Sequence, residues 1–148
     1  MNIDISKDFT AAQTHINDKI ENLKDTKTPL MQIVVEMFSS VGQNFREQGT
    51  DKGKWEPLAE STLKGYMRRK GKRGKGPFVL LQDKGTLKNS IGQRIEGDTA
   101  VVSTNMRKAP ALHFGYEKRN LPGRLYLYIR EDAVQRIFAI GRAWGFGA

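Results

Sequence analysis

Two histidines, His15 and His113, are the only imidazoles in the chain, and there is no cysteine. A metal site needs three or four ligands at suitable spacing. Neither histidine has another histidine or a paired acid near it in sequence. His113 is flanked by Leu112 and Phe114, which suits a packed or hydrogen-bonded imidazole better than a catalytic one. The serines lack the glycine-elbow context of a hydrolase nucleophile. The glycines from Gly71 to Gly76 resemble a phosphate loop in composition only, because their Gly-Lys pairs do not follow the Walker spacing. Asp83 beside Lys84 reads as a solvated turn pair. The expectation is a protein with no catalytic residue, no metal and no cofactor.

One chemical feature remains, and it is charge. The 148 residues carry a net +9, but the first fifty carry −2 and the rest +11. Seven of the twelve residues from Lys64 to Lys75 are basic, and no acid occurs from Ser61 through Gln82. Such a block repels itself, so the expectation is a mobile basic loop that waits for an anionic partner. Lys64, Arg68, Arg69, Lys70, Lys72, Arg73 and Lys75 could neutralise several phosphates in a salt-dependent, sequence-blind way. Tyr66 and Phe78 flank the run and could stack on unpaired bases. The bland reading is a solvated loop, or one that docks on an acidic protein surface.

The chain length implies a single domain with one modest core. Lacking cysteine, it needs no oxidising compartment. No stretch reaches the ~20 apolar residues of a membrane span. The start, MNIDISKDF, has neither the basic nor the apolar region of a signal peptide, which predicts a protein made and kept in the cytoplasm.

Apolar periodicity supplies the elements. Ile3 and Ile5 alternate as in a short strand. Phe9, Ala12, Ile16, Ile20 and Leu23 mark one face of a helix that Ser6 or Asp8 could cap. Thr28-Pro29 predicts a second helix start, with Leu30, Ile33, Val34, Met37, Val41 and Phe45 as its apolar stripe and Gly49 at its end. Trp55 to Leu58 is a compact turn, and a short helix begins near Pro57 or Ser61. Ile91, Gln93 and Ile95 alternate into a Gly97-Asp98 hairpin turn, and Ala100–Val102 returns. Leu125–Ile129 reads as another strand from its Tyr and β-branched content. Glu131 to Ile140 reads as a last helix with acids at its positive end.

Helices first and a small antiparallel sheet later predict an α+β fold, with N-terminal helices packed on the sheet, a long basic loop and a C-terminal helix. The expected layout is one domain over 1–148, with a helical part at about 6–49. A turn, short helix and mobile basic loop follow at about 53–77. The sheet and last helix occupy about 78–141, with a loose tail at 142–148. Trp55 is either a core anchor or an interface hot spot. Trp144 and Phe146 sit in a glycine-rich tail and favour partner docking.

Three segments, in this order, resemble the phage virion morphogenesis family of tail-completion proteins, which help join heads to tails. The first runs from Phe45 to Thr62, where Phe45, Trp55, Pro57, Leu58 and Thr62 match a Phe, a Trp-x-Pro-Leu turn and a following Thr. The second is Leu81 to Ile91, where Leu81, Gly85, Leu87, Ser90 and Ile91 match. The third is His113-Phe114-Gly115 with a later Arg124 and Leu127, similar to the family's His-(Gln)-Phe-Gly and Arg-Pro-Phe-Leu. Here the Gln is missing, and Leu125 stands where Pro is usual. The resemblance covers about residues 30–140.

The resemblance implies a structural role late in virion assembly, with members working as rings and no reaction catalysed. It implies head, neck or tail proteins as partners, a homo-oligomer in the virion, possible DNA contact and no membrane. The location it implies is the virion, with the host cytoplasm during assembly. On physical grounds Gly85 and Gly115 permit turns or positive φ. Leu87, Ile91, Phe114 and Leu127 are expected to fill the core beneath the sheet. His113 and Arg124 are expected to fix the loop after the hairpin. The competing reading is a stand-alone nucleic-acid-binding module that uses the basic loop at 64–75.

Overall fold

A computed structural model describes residues 13–18, 20–21, 24–70, 79–82 and 85–145. The expected strand at Ile3 and Ile5 lies outside these residues, as do Phe9, Ala12 and Leu23 of the first amphipathic helix. Residues 13–18 and 20–21 are helical, and Ile16 and Ile20 are exposed there.

Helix α1 spans Lys27–Glu47 and organises the rest. Its capping side chain is Asp25, three residues ahead of the Thr28 that the sequence suggests. The Asp25 carboxylate accepts the backbone N–H groups of Lys27 (3.1 Å) and Thr28 (3.2 Å) and the Thr28 hydroxyl. Those hydrogen bonds hold the Asp25 carboxyl below its usual range, the Thr28 hydroxyl bond contributing most. Pro29 then sits in the first turn, where a missing N–H costs nothing. Val34, Val41 and Phe45 are buried along the expected stripe. The helix ends where Gln48 turns left-handed (φ 54°) ahead of Gly49.

A two-residue hairpin follows, β1 (Gly49–Thr50) against β2 (Gly53–Lys54), which periodicity does not reveal because it is too short to alternate. Helix α2 covers Glu60–Lys70. The basic run is therefore only partly a loop: Lys64, Arg68, Arg69 and Lys70 continue the helix, since Lys and Arg are good helix formers. Charge repulsion does not outweigh that propensity here. Lys72, Arg73 and Lys75 lie outside the described residues.

The four-residue helix α3 (Thr86–Asn89) leads into β3 (Ile91–Glu96), which pairs antiparallel with β4 (Thr99–Thr104). The register runs from Ile91 opposite Thr104 to Glu96 opposite Thr99, as the Gly97-Asp98 turn predicts. This hairpin packs on α1. Helix α4 (Ala109–Phe114), a single 3-10 turn (Glu117–Arg119) and an irregular stretch then lead to helix α5 (Glu131–Ala143), which packs against α1 and runs past the expected boundary at 141. Arg136 bridges the two helices through Glu36 (2.7 Å).

Residues 125–129 are not a strand. They turn at Leu125, where the Tyr126 N–H bonds the Arg124 carbonyl (2.7 Å), and bend at Leu127, and they have no partner strand, because side chains from the helices take the place of one. Asn44 donates its amide to the carbonyls of Tyr126 (3.2 Å) and Tyr128 (2.7 Å), and Ser40 accepts the Arg130 N–H (2.9 Å). The core joins all of this: Val41, Phe45, Trp55, Leu80, Leu87, Ile91, Ala109 and Tyr126 form one cluster. Phe45 stands edge-on to Trp55, with ring centroids 5.6 Å apart, and 5.8 Å from Tyr126. The α+β architecture is as expected.

Candidate functional site

The three motif segments converge at the end of α1. Phe45 is the hub, packed on Trp55 from the first segment and on Tyr126 from the third. From the second segment come Leu87 and Ile91, both buried in the same cluster, and Leu81, half-buried against it at φ 60°. Gln48 fastens the segments together: its amide donates to the Phe45 carbonyl (2.6 Å), and its carbonyl oxygen accepts the Leu80 N–H. Gln82 adds a second bond to the Phe45 carbonyl (3.0 Å).

Arg124 ties the third segment to the first. It is only 3% exposed, and its guanidinium donates to the Glu56 carbonyl at 3.0 and 2.9 Å and to the Pro57 carbonyl at 3.2 Å. Burial lowers its pKa and the Glu56 charge partly offsets that, yet a guanidinium stays charged throughout. A rigid fork of donors suits two adjacent carbonyls in a turn, which a lysine could not hold together. The Trp-x-Pro-Leu turn is shaped by an arginine some seventy residues downstream.

His113 works the same way within the loop. Its Nδ1 accepts the Leu127 N–H (3.4 Å), and its ring stands edge-on to Tyr126 at 5.0 Å and to Phe114 at 4.6 Å. Burial pushes its pKa down, so the neutral ring that can accept this bond is favoured. Tyr126 in turn donates its hydroxyl to the Ala109 carbonyl (3.0 Å), with its pKa raised by burial. Gly115 takes φ 89°, and a Cβ there would stand 2.8 Å from the Gly123 nitrogen and 2.9 Å from the Leu121 oxygen. Only glycine fits both the backbone and the space.

Other motif residues hold the framework. Ser90 donates to the Leu87 carbonyl (2.7 Å) and shares a hydrogen bond with Thr104 (2.6 Å), joining the start of β3 to the end of β4. Gly85 turns at φ 69° ahead of α3. Thr62 lies in the first turn of α2, its N–H bonded to the Ala59 carbonyl (2.9 Å). Leu58 and Leu127 are half-buried against the core. Phe114 departs from expectation: it does not fill the core but projects from the end of α4, 78% exposed. The reason lies in its neighbours, since His113 takes the inward place against Tyr126 and Gly115 reverses the chain next to it.

Of the basic residues, the described Lys64 and Arg68 stand apart from this knot. Lys64 and Arg68 are exposed on α2, and Lys64 makes one loose ion pair with Glu60 at 3.5 Å. Between α2 and the turn lies an open groove of about 270 Å³, lined by Gln48, Trp55, Pro57, Leu58, Leu63 and Leu80. Among the described residues no three of His, Cys, Asp or Glu come together in a way that could hold a metal ion, and no helix is long and apolar enough to cross a membrane.

Sequence reasoning missed Asn44, Ser40, Gln48 and Tyr126. The first two carried a signal: two small polar residues four apart within an apolar helical stripe mark positions where buried polar groups need partners. Asp51, which accepts the Glu131 N–H (2.8 Å) and so caps α5, carried none.

The family model for phage virion morphogenesis matches residues 7–144, nearly the whole chain. The chain belongs to the phage virion morphogenesis family. Membership in this virion morphogenesis family gives it a structural role in phage assembly, association with the virion and contact with other phage structural proteins. Comparison with curated proteins and with solved structures finds no match.

Proposed function

We propose that the protein completes the phage tail or joins the head to the tail, as one subunit of a ring, and that it contributes shape and contacts rather than a reaction. The family match over residues 7–144 carries this reading. The use made of the motif residues supports it. His113, Arg124, Ser90 and Gly115 are all engaged in holding backbone, which leaves the chemistry-bearing side chains committed to scaffolding. Its partners are head, neck or tail proteins, met in the host cytoplasm during assembly, with DNA in the lumen as a further contact for the basic run.

Electron microscopy of an induced lysate from a phage lacking this gene tests it. DNA-filled heads separate from unjoined or misshapen tails are the expected result. Intact virions with normal necks would overturn it.

A stand-alone nucleic-acid-binding module is the second reading, favoured by one observation: Lys64 and Arg68 stand exposed on α2 within residues 51–148, which carry +11. It requires binding that collapses as salt rises. A gel-shift titration without binding at low salt removes it.

A further inference from the structure

Phe114 is exposed, yet the backbone that carries it is tightly held. Gly115 donates to the Ala111 carbonyl (3.0 Å), Arg124 donates its N–H to the Leu112 carbonyl (3.1 Å), and Gly115 packs on Gly123 with no room for a Cβ on either. Tyr116 and Leu125, on the same loop, are exposed as well. An aromatic ring held out on rigid backbone loses little freedom when it docks, and such rings dominate interface energetics. The ring is a knob without a hole in its own chain.

The hole is the groove beside α2. Five of its six lining residues are apolar. An apolar cavity of about 150 Å³ admits a benzene ring, so about 270 Å³ admits the side chain of a phenylalanine. Trp55 in its wall is 8% exposed, and its indole Nε1 is buried without a hydrogen-bond partner among the described residues. A buried indole N–H ordinarily finds an acceptor. The charges also fit. Glu56 and Glu60 are exposed at the Pro57 end of the groove, although Lys64 partly screens Glu60. The turn after Phe114 exposes Lys118 and Arg119 against the single acid Glu117.

We infer that the groove lined by Trp55, Leu58 and Leu63 receives Phe114 of a second copy of this chain. Knob and hole are different patches, so the contact is heterologous, of the kind that closes into rings when the rotation permits. It rests on the ring reading above in one respect, that copies of the chain meet one another.

The chain has no cysteine, which makes the test direct. Two separate full-length proteins of different tag length, Tyr116→Cys, which keeps the Phe114 ring on the same exposed loop, and Leu63→Cys, are mixed under mild oxidation, so that only contact between molecules can join them. The expected result is a mixed disulfide that forms well ahead of either homodimer. It is absent when Leu63→Cys is replaced by Gln135→Cys on the exposed face of α5. Should Leu63→Cys fail to fold, Val79→Cys, exposed next to Leu80, takes its place. Folded partners that give no mixed disulfide at either position overturn the contact. Its failure is separable from failure of the assembly reading. Loss of the cross-link with heads and tails still separate in the gene-deletion lysate removes only this contact, whereas intact virions in that lysate remove the assembly role.

Discussion

Arg124 places a full positive charge inside the protein and faces it with two neutral carbonyls. Burial of such a charge is unfavourable by itself, and the direction of its pKa agrees. What offsets the burial is geometry: one planar fork answers both the Glu56 and the Pro57 oxygens and so sets the turn that carries Trp55 and Leu58. Arg124→Lys keeps the charge but reaches one carbonyl at a time. It is expected to lower stability by about 1–3 kcal/mol, from one or two lost hydrogen bonds to a charged donor. Arg124→Met, which leaves both carbonyls without a donor, is expected to cost at least as much. Urea denaturation measures both, and unchanged midpoints would show that the turn holds its shape without the arginine.

Among the elements, the stretch from Arg124 to Arg130 depends most on others. Its backbone is served by Asn44, Ser40, His113 and Leu112 rather than by a neighbouring strand. Asn44→Leu keeps the branching at Cγ, adds some volume, and removes both amide donors from a fully buried site, leaving the Tyr126 and Tyr128 carbonyls unsatisfied. The expected loss is roughly 2–4 kcal/mol. Amide exchange in 126–130 should quicken while the β3–β4 ladder keeps its protection. Uniform quickening across the chain would mean that the stretch has no separate stability. This dependence also explains what was legible in the residues. The stripe of α1, the Gly97-Asp98 hairpin and the acids at the start of α5 are local signals, and each element formed where its signal lay. Residues 125–129 carry strand-like composition, but a strand needs a partner, and the partners turned out to be the side chains of Asn44 and His113, distant in sequence. The site divides likewise: Gly85 and Gly115 announced their backbone, whereas the inward turn of His113 and the outward turn of Phe114 depend on Tyr126, which no spacing marks.

At the scale of the whole molecule, the charge asymmetry acts over distances no single contact spans. The +11 of residues 51–148 raises a potential that draws anionic surfaces and falls off within about 8 Å at physiological salt. α2 carries part of that charge, and none of its described residues belongs to the core cluster. Replacing Arg68, Arg69, Lys70, Lys72 and Arg73 by Gln leaves helix propensity nearly unchanged for the residues on α2. The unfolding free energy should therefore change little, by about 0.5 kcal/mol or less per substitution. Complementation of the gene-deleted phage with this variant should give a depressed yield of joined particles, and the same heads and tails mixed in vitro should join more slowly. The defect should resemble that of the unaltered protein in raised salt, because screening and neutralisation weaken the same field. A folded variant that restores full infectious yield would leave the basic run with no part in assembly, and its charge would then be a matter of solubility alone.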